Sequence, residues 1–273
     1  MKKLSAMARA AIPACAVAMA SLAPLSASAG TVQLGFILDG SGSLTAPEWN
    51  IIRNGLSTAI GTLIPVGGPT TYEISIVSFS TAALTTINVN SFVVNSLADR
   101  LSLAATISTL PYQNGGATNY TSAFNAMNTA LTDAVGTTGF VTAATAEASY
   151  VNFATDGEQN QDTLLFPTAR ANLITAGVDN ISIEGIGVSA TAEAFLKSSV
   201  CHPLPCDSTS PFDFPTSGFY IGVANATQYA AAIGNKIRAV TGQVPEPGSL
   251  ALVGLALAGL GFAQRRGQAA QKV

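Results

Sequence analysis

The chain has 273 residues, 48% hydrophobic and 10% charged, a composition that can bury a core and excludes a disordered chain. Its formal net charge of −3 is unevenly spread, because Lys2, Lys3 and Arg9 open the chain and Arg265, Arg266 and Lys272 close it. The stretch between them holds six basic residues against fifteen acidic ones, so it carries nine negative charges and presents no electrostatic footprint for a nucleic acid.

Residues Met1 to Ala29 begin with Lys2 and Lys3, run through an apolar stretch from about Ala10 to Leu25 and end in Ala27-Ser28-Ala29. That is the pattern of a secretory signal peptide cut before Gly30. Pro13 and Pro24 interrupt the stretch and argue against a membrane anchor. A single domain is expected over residues 30–243, followed by a separate segment over residues 244–273, with no internal repeat or linker between.

Apolar runs alternate with helical patterns along the middle of the chain. This predicts an α/β domain, a doubly wound, Rossmann-like and mostly parallel sheet with helices on both faces. The first strand is expected at Val32 to Leu38 and ends at Asp39. Gly40-Ser41-Gly42-Ser43 follows, then Thr45-Ala46-Pro47-Glu48, a capping box with proline in the first turn. Trp49, Ile52, Leu56, Ile60 and Leu63 continue at helical spacing. A second strand is expected at Tyr72 to Phe79, and Thr85 to Val94, rich in Thr, Val and Asn, reads as a weaker edge strand.

Gly115-Gly116-Ala117-Thr118-Asn119 then leads into a helix marked by Tyr120, Phe124, Met127 and Leu131. The strand Tyr150 to Ala154 ends in Thr155-Asp156-Gly157. Leu165, Leu173 and Ile174 suggest a third helix closed by Gly177, strands follow at Ile181 to Val188 and Phe219 to Val223, and Tyr229, Ile233 and Ile237 mark a fourth helix. The central strands are too continuously apolar for a sheet with one wet face.

Cys15 falls in the signal peptide, which leaves Cys201 and Cys206. In an oxidising compartment such a pair reads as a disulfide; a Cys/His metal site with His202 lacks a fourth ligand. At the end of the chain, Val244-Pro245-Glu246-Pro247-Gly248 precedes fourteen mostly apolar residues from Leu250 to Ala263 and then Arg265-Arg266. The run is short of the roughly 20 residues that a stable span needs. The trailing arginines would hold the tail on the cytoplasmic side and leave the domain outside.

In an open parallel sheet, ligands sit beyond the carboxyl ends of the strands. Asp39, Ser41 and Ser43 supply a carboxylate and two hydroxyls within five residues, Thr118 adds a hydroxyl at a helix start, and Asp156 adds a second carboxylate. Five oxygen side chains from three strand-end loops can surround one cation, and hard oxygens suit Mg²⁺, Mn²⁺ or Ca²⁺ and not zinc.

Asp39-x-Ser41-x-Ser43 with Thr118 and Asp156 resembles the metal-ion-dependent adhesion site of the von Willebrand factor type A family, and the resemblance covers about Thr31 to Val240. It implies a divalent cation touched directly by Ser41, Ser43 and Thr118, with Asp39 and Asp156 often acting through water. One coordination position stays open for an acidic group of a protein or polysaccharide partner. No acidic residue follows Ser43 in Leu44-Thr45-Ala46-Pro47, which leaves a second adjacent metal site unsupported. The tail, with Pro245, Glu246, Pro247, Arg265 and Arg266, resembles the PEP-CTERM sorting signal of Gram-negative bacteria that make exopolysaccharide. That resemblance implies passage through the inner membrane, transient association through the C-terminal helix, and processing by an exosortase-type enzyme; a permanent tail anchor is the alternative.

The expectation is an exported, non-enzymatic, cation-dependent adhesion module at the cell surface or in the extracellular matrix. A structural matrix protein with a purely stabilising metal and a metal-assisted hydrolase are the rival readings. A dinucleotide site is disfavoured because the third glycine is missing and Asp39 would repel a pyrophosphate. A hydrolase would need a base, yet the single histidine, His202, has no Gly-x-Ser-x-Gly partner, and Glu158 has no evident one.

Overall fold

A computed structural model describes residues 30–132 and 141–242. The signal segment and the sorting tail therefore lie outside the described residues. Six strands form one sheet in the order β3-β2-β1-β4-β5-β6. They are β1 Thr31–Asp39, β2 Thr71–Phe79, β3 Thr86–Val94, β4 Ala148–Thr155, β5 Asn180–Ile186 and β6 Tyr220–Val223. Every pairing is parallel except β2 with β3, which closes one edge antiparallel. β1 lies between β2 and β4, with Asp39 opposite Phe79 and Leu38 opposite Ala154.

The helices are α1 Ala46–Leu63, α2 Leu97–Ser108, α3 Tyr120–Thr132, α4 Phe166–Thr175, α5 Ala190–Phe195 and α6 Ala226–Val240. Alternation along β1 divides the core in two. Leu34, Phe36 and Leu38 face α1, α2 and α6, whereas Ile37 joins Phe124, Met127, Phe153 and Phe166 on the side of α3 and α4. Both sheet faces are covered, which is why the central strands read as continuous apolar runs.

The expected capping box is present: the Thr45 side chain accepts from Glu48 N–H, and the Glu48 carboxylate accepts from Thr45 N–H at 2.8 Å. With the cap fixed, the predicted stripe turns Trp49, Ile52, Leu56 and Ile60 into the core. Proline in the first turn adds a φ already suited to a helix.

Several expectations need correction. Leu165 is not a core residue; it is 58% exposed at the N-cap of α4, and Phe166 is buried in its place. The end of α4 is as expected: the helix caps at Ala176 and Gly177, at φ 111°, turns the chain back toward β5. β5 stops at Ile186 and not at Val188, because β6 ends at Val223, whose carbonyl receives the Gly187 N–H as the last rung. Helices α2 and α5, the latter running into a π-helical turn over Leu196–Val200, had no apolar stripe strong enough to announce them.

Cys201 and Cys206 are joined by a disulfide with Cα atoms 5.8 Å apart. Arg170 donates to the carbonyls of Val200 and Cys201 from the neighbouring helix, so the start of this loop is held independently of the sulfur bridge. Changing both cysteines to serine should therefore leave the fold intact and cost about 2 kcal/mol, the chain-entropy value for so small a ring. Denaturant unfolding would read this, and a loss above roughly 5 kcal/mol would mean that the bridge does more than close a loop.

Candidate functional site

The strand order reverses between β1 and β4, since β2 lies to one side of β1 and β4 to the other. The loops leaving those two strands diverge there and open a crevice beyond their carboxyl ends. Asp39 is the last residue of β1, and Asp156 directly follows β4. The loop before α3 reaches the same place: Ser41 and Gly115 form an isolated parallel bridge, and Asn119 N–H donates to the Ser80 carbonyl at the end of β2 at 2.9 Å. Gly115 must be glycine because a Cβ there would meet Ser80 Oγ at 2.1 Å.

Four of the five predicted oxygen residues are linked directly, and the loop that carries Thr118 adjoins them through the Ser41–Gly115 bridge. Ser41 N–H donates to Asp39 Oδ1 at 2.9 Å, the Ser41 and Ser43 hydroxyls share a hydrogen bond of 2.9 Å, and Ser43 Oγ donates to Asp156 Oδ1 at 2.8 Å. Asp39, Ser41 and Thr118 are buried and form the floor, whereas Ser43 is exposed and Asp156 only partly covered, so the mouth opens at these two. Thr118 is 4% exposed, and its hydroxyl has no hydrogen-bond partner among the described residues.

Three supporting residues escaped the sequence reading. Thr155 Oγ1 donates to Asp39 Oδ2 at 2.6 Å and fixes the deep carboxylate. Tyr120 Oη bonds Thr155 Oγ1 at 3.1 Å and donates to the Gly157 carbonyl, which ties the start of α3 to the loop after β4. Asn160 clamps Thr118 twice: its Oδ1 accepts from Thr118 N–H at 2.9 Å and its N–H donates to the Thr118 carbonyl at 3.0 Å. In the sequence Thr155 offers only its place beside Asp156, Tyr120 reads as core alone, and Asn160 carries no signal in a polar loop.

The electrostatics are those of a carboxylate pair short of positive charge. Burial, with repulsion from Asp156 added, pushes Asp39 up to about 7, while hydrogen bonds from Thr155 and Ser41 act the other way. Asp156 is also raised, chiefly by burial. A divalent cation would supply the missing charge, and the unpaired Thr118 hydroxyl is a ready neutral donor, so this oxygen set fits such an ion. Elsewhere, His202 bridges Ile181 through its backbone, and Glu158 is exposed and accepts from Ser189 Oγ at 3.2 Å. No cluster of three His, Cys, Asp or Glu suited to a metal occurs among the described residues.

A doubly wound sheet with an oxygen-lined crevice at its switch point defines an α/β ligand-binding domain. The sequence model of the von Willebrand factor type A domain matches residues 33–217, and the chain belongs to that family. The PEP-CTERM protein-sorting motif matches residues 243–266. No curated protein sequence matches. Among solved structures, proximal thread matrix protein 1 from the mussel byssus is similar with a TM-score of 0.57 at 14% identity, covering 78% of this chain and 48% of the mussel chain. The PilB minor pilin from Streptococcus sanguinis, in a mutant form, gives 0.52 at 14% identity over 82% of this chain and 65% of its own. The pilus adhesin SpaC from Lactobacillus rhamnosus GG gives 0.52 at 11% identity over 78% and 31%. This chain thus spans about half the length of the mussel protein, and at these identities the likeness establishes the fold.

Proposed function

We propose that the protein is an exported, non-enzymatic binding module that holds a divalent cation at Asp39, Ser41, Ser43, Thr118 and Asp156 and uses it to capture an acidic group of a protein or polysaccharide partner. The observation that supports this reading is the hydrogen-bonded joining of Asp39, Ser41, Ser43 and Asp156 from two strand-end loops, with the loop of Thr118 bridged to Ser41 and the mouth open at Ser43 and Asp156. When bound, the cation supplies a Lewis-acidic centre for an anionic ligand. Asp39 and Asp156 balance its charge, Ser41, Ser43 and Thr118 offer neutral oxygens, and Thr155 and Asn160 hold that set in place.

The sorting motif supports export with exosortase processing and a destination at the surface or in the extracellular matrix. Among the described residues no helix is long and apolar enough to cross a membrane, and the apolar tail segment lies outside them. Mg²⁺ best suits a hydroxyl-rich site of six ligands, with Ca²⁺ and Mn²⁺ next. The oxygen set alone does not bar zinc, since one structure of the mussel protein has a zinc-occupied MIDAS motif.

Cation titration of the exported protein should raise its unfolding free energy by about 2.7 kcal/mol at a hundredfold excess over the dissociation constant. A pull-down from the organism's own extracellular material should recover a partner that chelator releases while circular dichroism stays native. Stabilisation by the cation with no chelator-sensitive partner would favour a structural matrix role. Turnover of generic ester or phosphate substrates would favour a hydrolase.

A further inference from the structure

On the opposite sheet face from α3, a second polar group is sealed inside the domain. Asn152 of β4, Glu184 of β5 and Lys236 of α6 are 4%, 0% and 3% exposed. Residue 154 pairs with residue 184, so Asn152 and Glu184 stand diagonally on one face and α6 lays Lys236 across them. Lys236 Nζ donates to Asn152 Oδ1, lies 3.1 Å from Glu184 Oε1 off the hydrogen-bonding direction, and stands 5.0 Å from the centre of the Phe219 ring. Among the described residues, Lys236 and the Asn152 amide both lie against Glu184 and favour its charged form, yet neither is well aligned, so the Asn152 amide nitrogen and both Glu184 oxygens are left without a properly directed hydrogen bond.

As a plain ion pair this arrangement is poor. Two desolvated charges repay their burial only when their remaining hydrogen-bonding positions are filled, and these are not. Passing one proton from Lys236 to Glu184 gives a neutral amine beside a carboxylic acid, a pair with no desolvated charge. Burial brings Lys236 down to about 8 against the pull of Glu184, and raises Glu184 against the pull of Lys236. A desolvated neutral lysine is a nucleophile, and a carboxyl kept protonated by an apolar site can donate to an amide oxygen. The electrophile is at hand, because Asn152 Cγ is one bond beyond the oxygen that Nζ already contacts.

We infer that Lys236 and Asn152 become joined by an intramolecular isopeptide bond, with Glu184 as the proton carrier. Glu184 polarises the Asn152 carbonyl as Nζ adds to Cγ. The Nζ–Cγ bond forms, the Cγ–Nδ2 bond breaks, and one proton passes from Nζ through Glu184 to the departing nitrogen. The products are one secondary amide and one ammonia, Glu184 ends as it began, and nothing is oxidised or reduced. The fold supplies the driving arrangement by holding amine and amide together as a unimolecular pair. A narrow cleft lined by Tyr150, Asn152, Ser182, Lys236, Ile237 and Val240 borders the site and gives ammonia a place to go.

The bond would tie the last helix of the domain to its central strand β4. α6 ends at Val240, three residues before the sorting motif begins, so a pull on that end of the chain would pass into the sheet through a covalent link. The inference is independent of the cation site, which lies beyond the strand ends.

The test is a proteolytic digest of the denatured, reduced full-length protein, read by tandem mass spectrometry. A branched peptide containing both Asn152 and Lys236, lighter than its two parts by one ammonia, is expected in place of the separate peptides. Glu184→Gln should lower its yield at least tenfold, and Asn152→Ala should abolish it. Asn152→Asp should give a product of the same mass as wild type, since water leaves instead of ammonia. Recovery of unmodified Asn152 and Lys236 peptides alone from wild type would overturn the inference, whatever the variants do. A branched peptide undiminished in a folded Glu184→Gln protein would remove Glu184 from the mechanism.

Discussion

Asp39→Asn should abolish the response of the domain to divalent cations and, above pH 7, make the metal-free protein more stable than the metal-free wild type. The two effects share one cause. Asp39 is buried at the floor of the crevice with Asp156 close enough to repel it, and its carboxyl is pushed up to about 7 from the ordinary 3.8. An unfolded chain ionises this group at the lower value. Between about 4 and 7 the native metal-free protein therefore binds more protons than the unfolded one, and its stability falls as pH rises. Completed above pH 7, the penalty is roughly 4 kcal/mol for a shift of this size. Asparagine keeps the shape and the acceptor for Ser41 N–H but carries no charge, so the variant escapes the penalty.

In wild type, a cation removes the same penalty by neutralising the pair, and protons compete with it for Asp39. Cation affinity should accordingly weaken as pH drops below 7, while Asp39→Asn should bind the ion at least about a hundredfold more weakly than wild type at pH 8, a gap that narrows toward pH 5 as the wild-type carboxyl takes up its proton. Thermal unfolding at pH 5 and pH 8, with Mg²⁺ and with chelator, measures all of this. A variant stabilised by Mg²⁺ as strongly as wild type would refute the cation reading. Equal metal-free stabilities at pH 8 would refute the strain assigned to Asp39.

Tyr120→Ala is the substitution expected to cost most in the core, roughly 3–5 kcal/mol. The ring is buried where α3 meets the sheet, edge-on to Phe153 with centroids 4.7 Å apart, and in contact with Phe79 at 5.9 Å and Phe166 at 5.7 Å. Removing it opens a cavity between two rigid layers that cannot both collapse. Tyr120→Phe keeps the ring and removes only the hydroxyl, which bonds Thr155 Oγ1 and the Gly157 carbonyl, so it should cost about 1–2 kcal/mol. Because Thr155 in turn holds Asp39, the phenylalanine variant should also lose about tenfold in cation affinity, as loss of an outer-shell partner does. Denaturant unfolding paired with cation titration separates the two. Unchanged cation affinity in Tyr120→Phe would mean that the hydroxyl serves the core alone.

The elements most legible in the sequence were those whose local chemistry and burial agree. α1 carries its own start signal in Thr45 and Glu48, and its stripe from Trp49 to Ile60 faces the core as its spacing requires. β3 was readable as an edge strand because Thr and Asn alternate with apolar residues where one side meets water. α2 and α5 were not readable, because each buries only one or two apolar side chains and is placed by its neighbours. Leu165 misled for the same reason in reverse: a leucine at helical spacing went to solvent because proline at residue 167 starts the helix one position on, with Phe166 turned inward.

What the sequence determined by itself was therefore the order of the six strands and of four of the six helices, and the presence of oxygen side chains at three strand-end loops, because these follow from periodicity, capping and turn chemistry within a few residues. Only the tertiary structure decided what those residues do to one another. Asp39 and Asp156 are 117 positions apart, and their mutual strain exists only because β1 and β4 are neighbours in the sheet. The same holds for Asn152, Glu184 and Lys236, three ordinary polar residues in the sequence, which become a reactive group once parallel pairing and one helix seal them away from water. Burial removes the solvent that would otherwise keep each of them charged and apart, and no local reading of the chain contains that information.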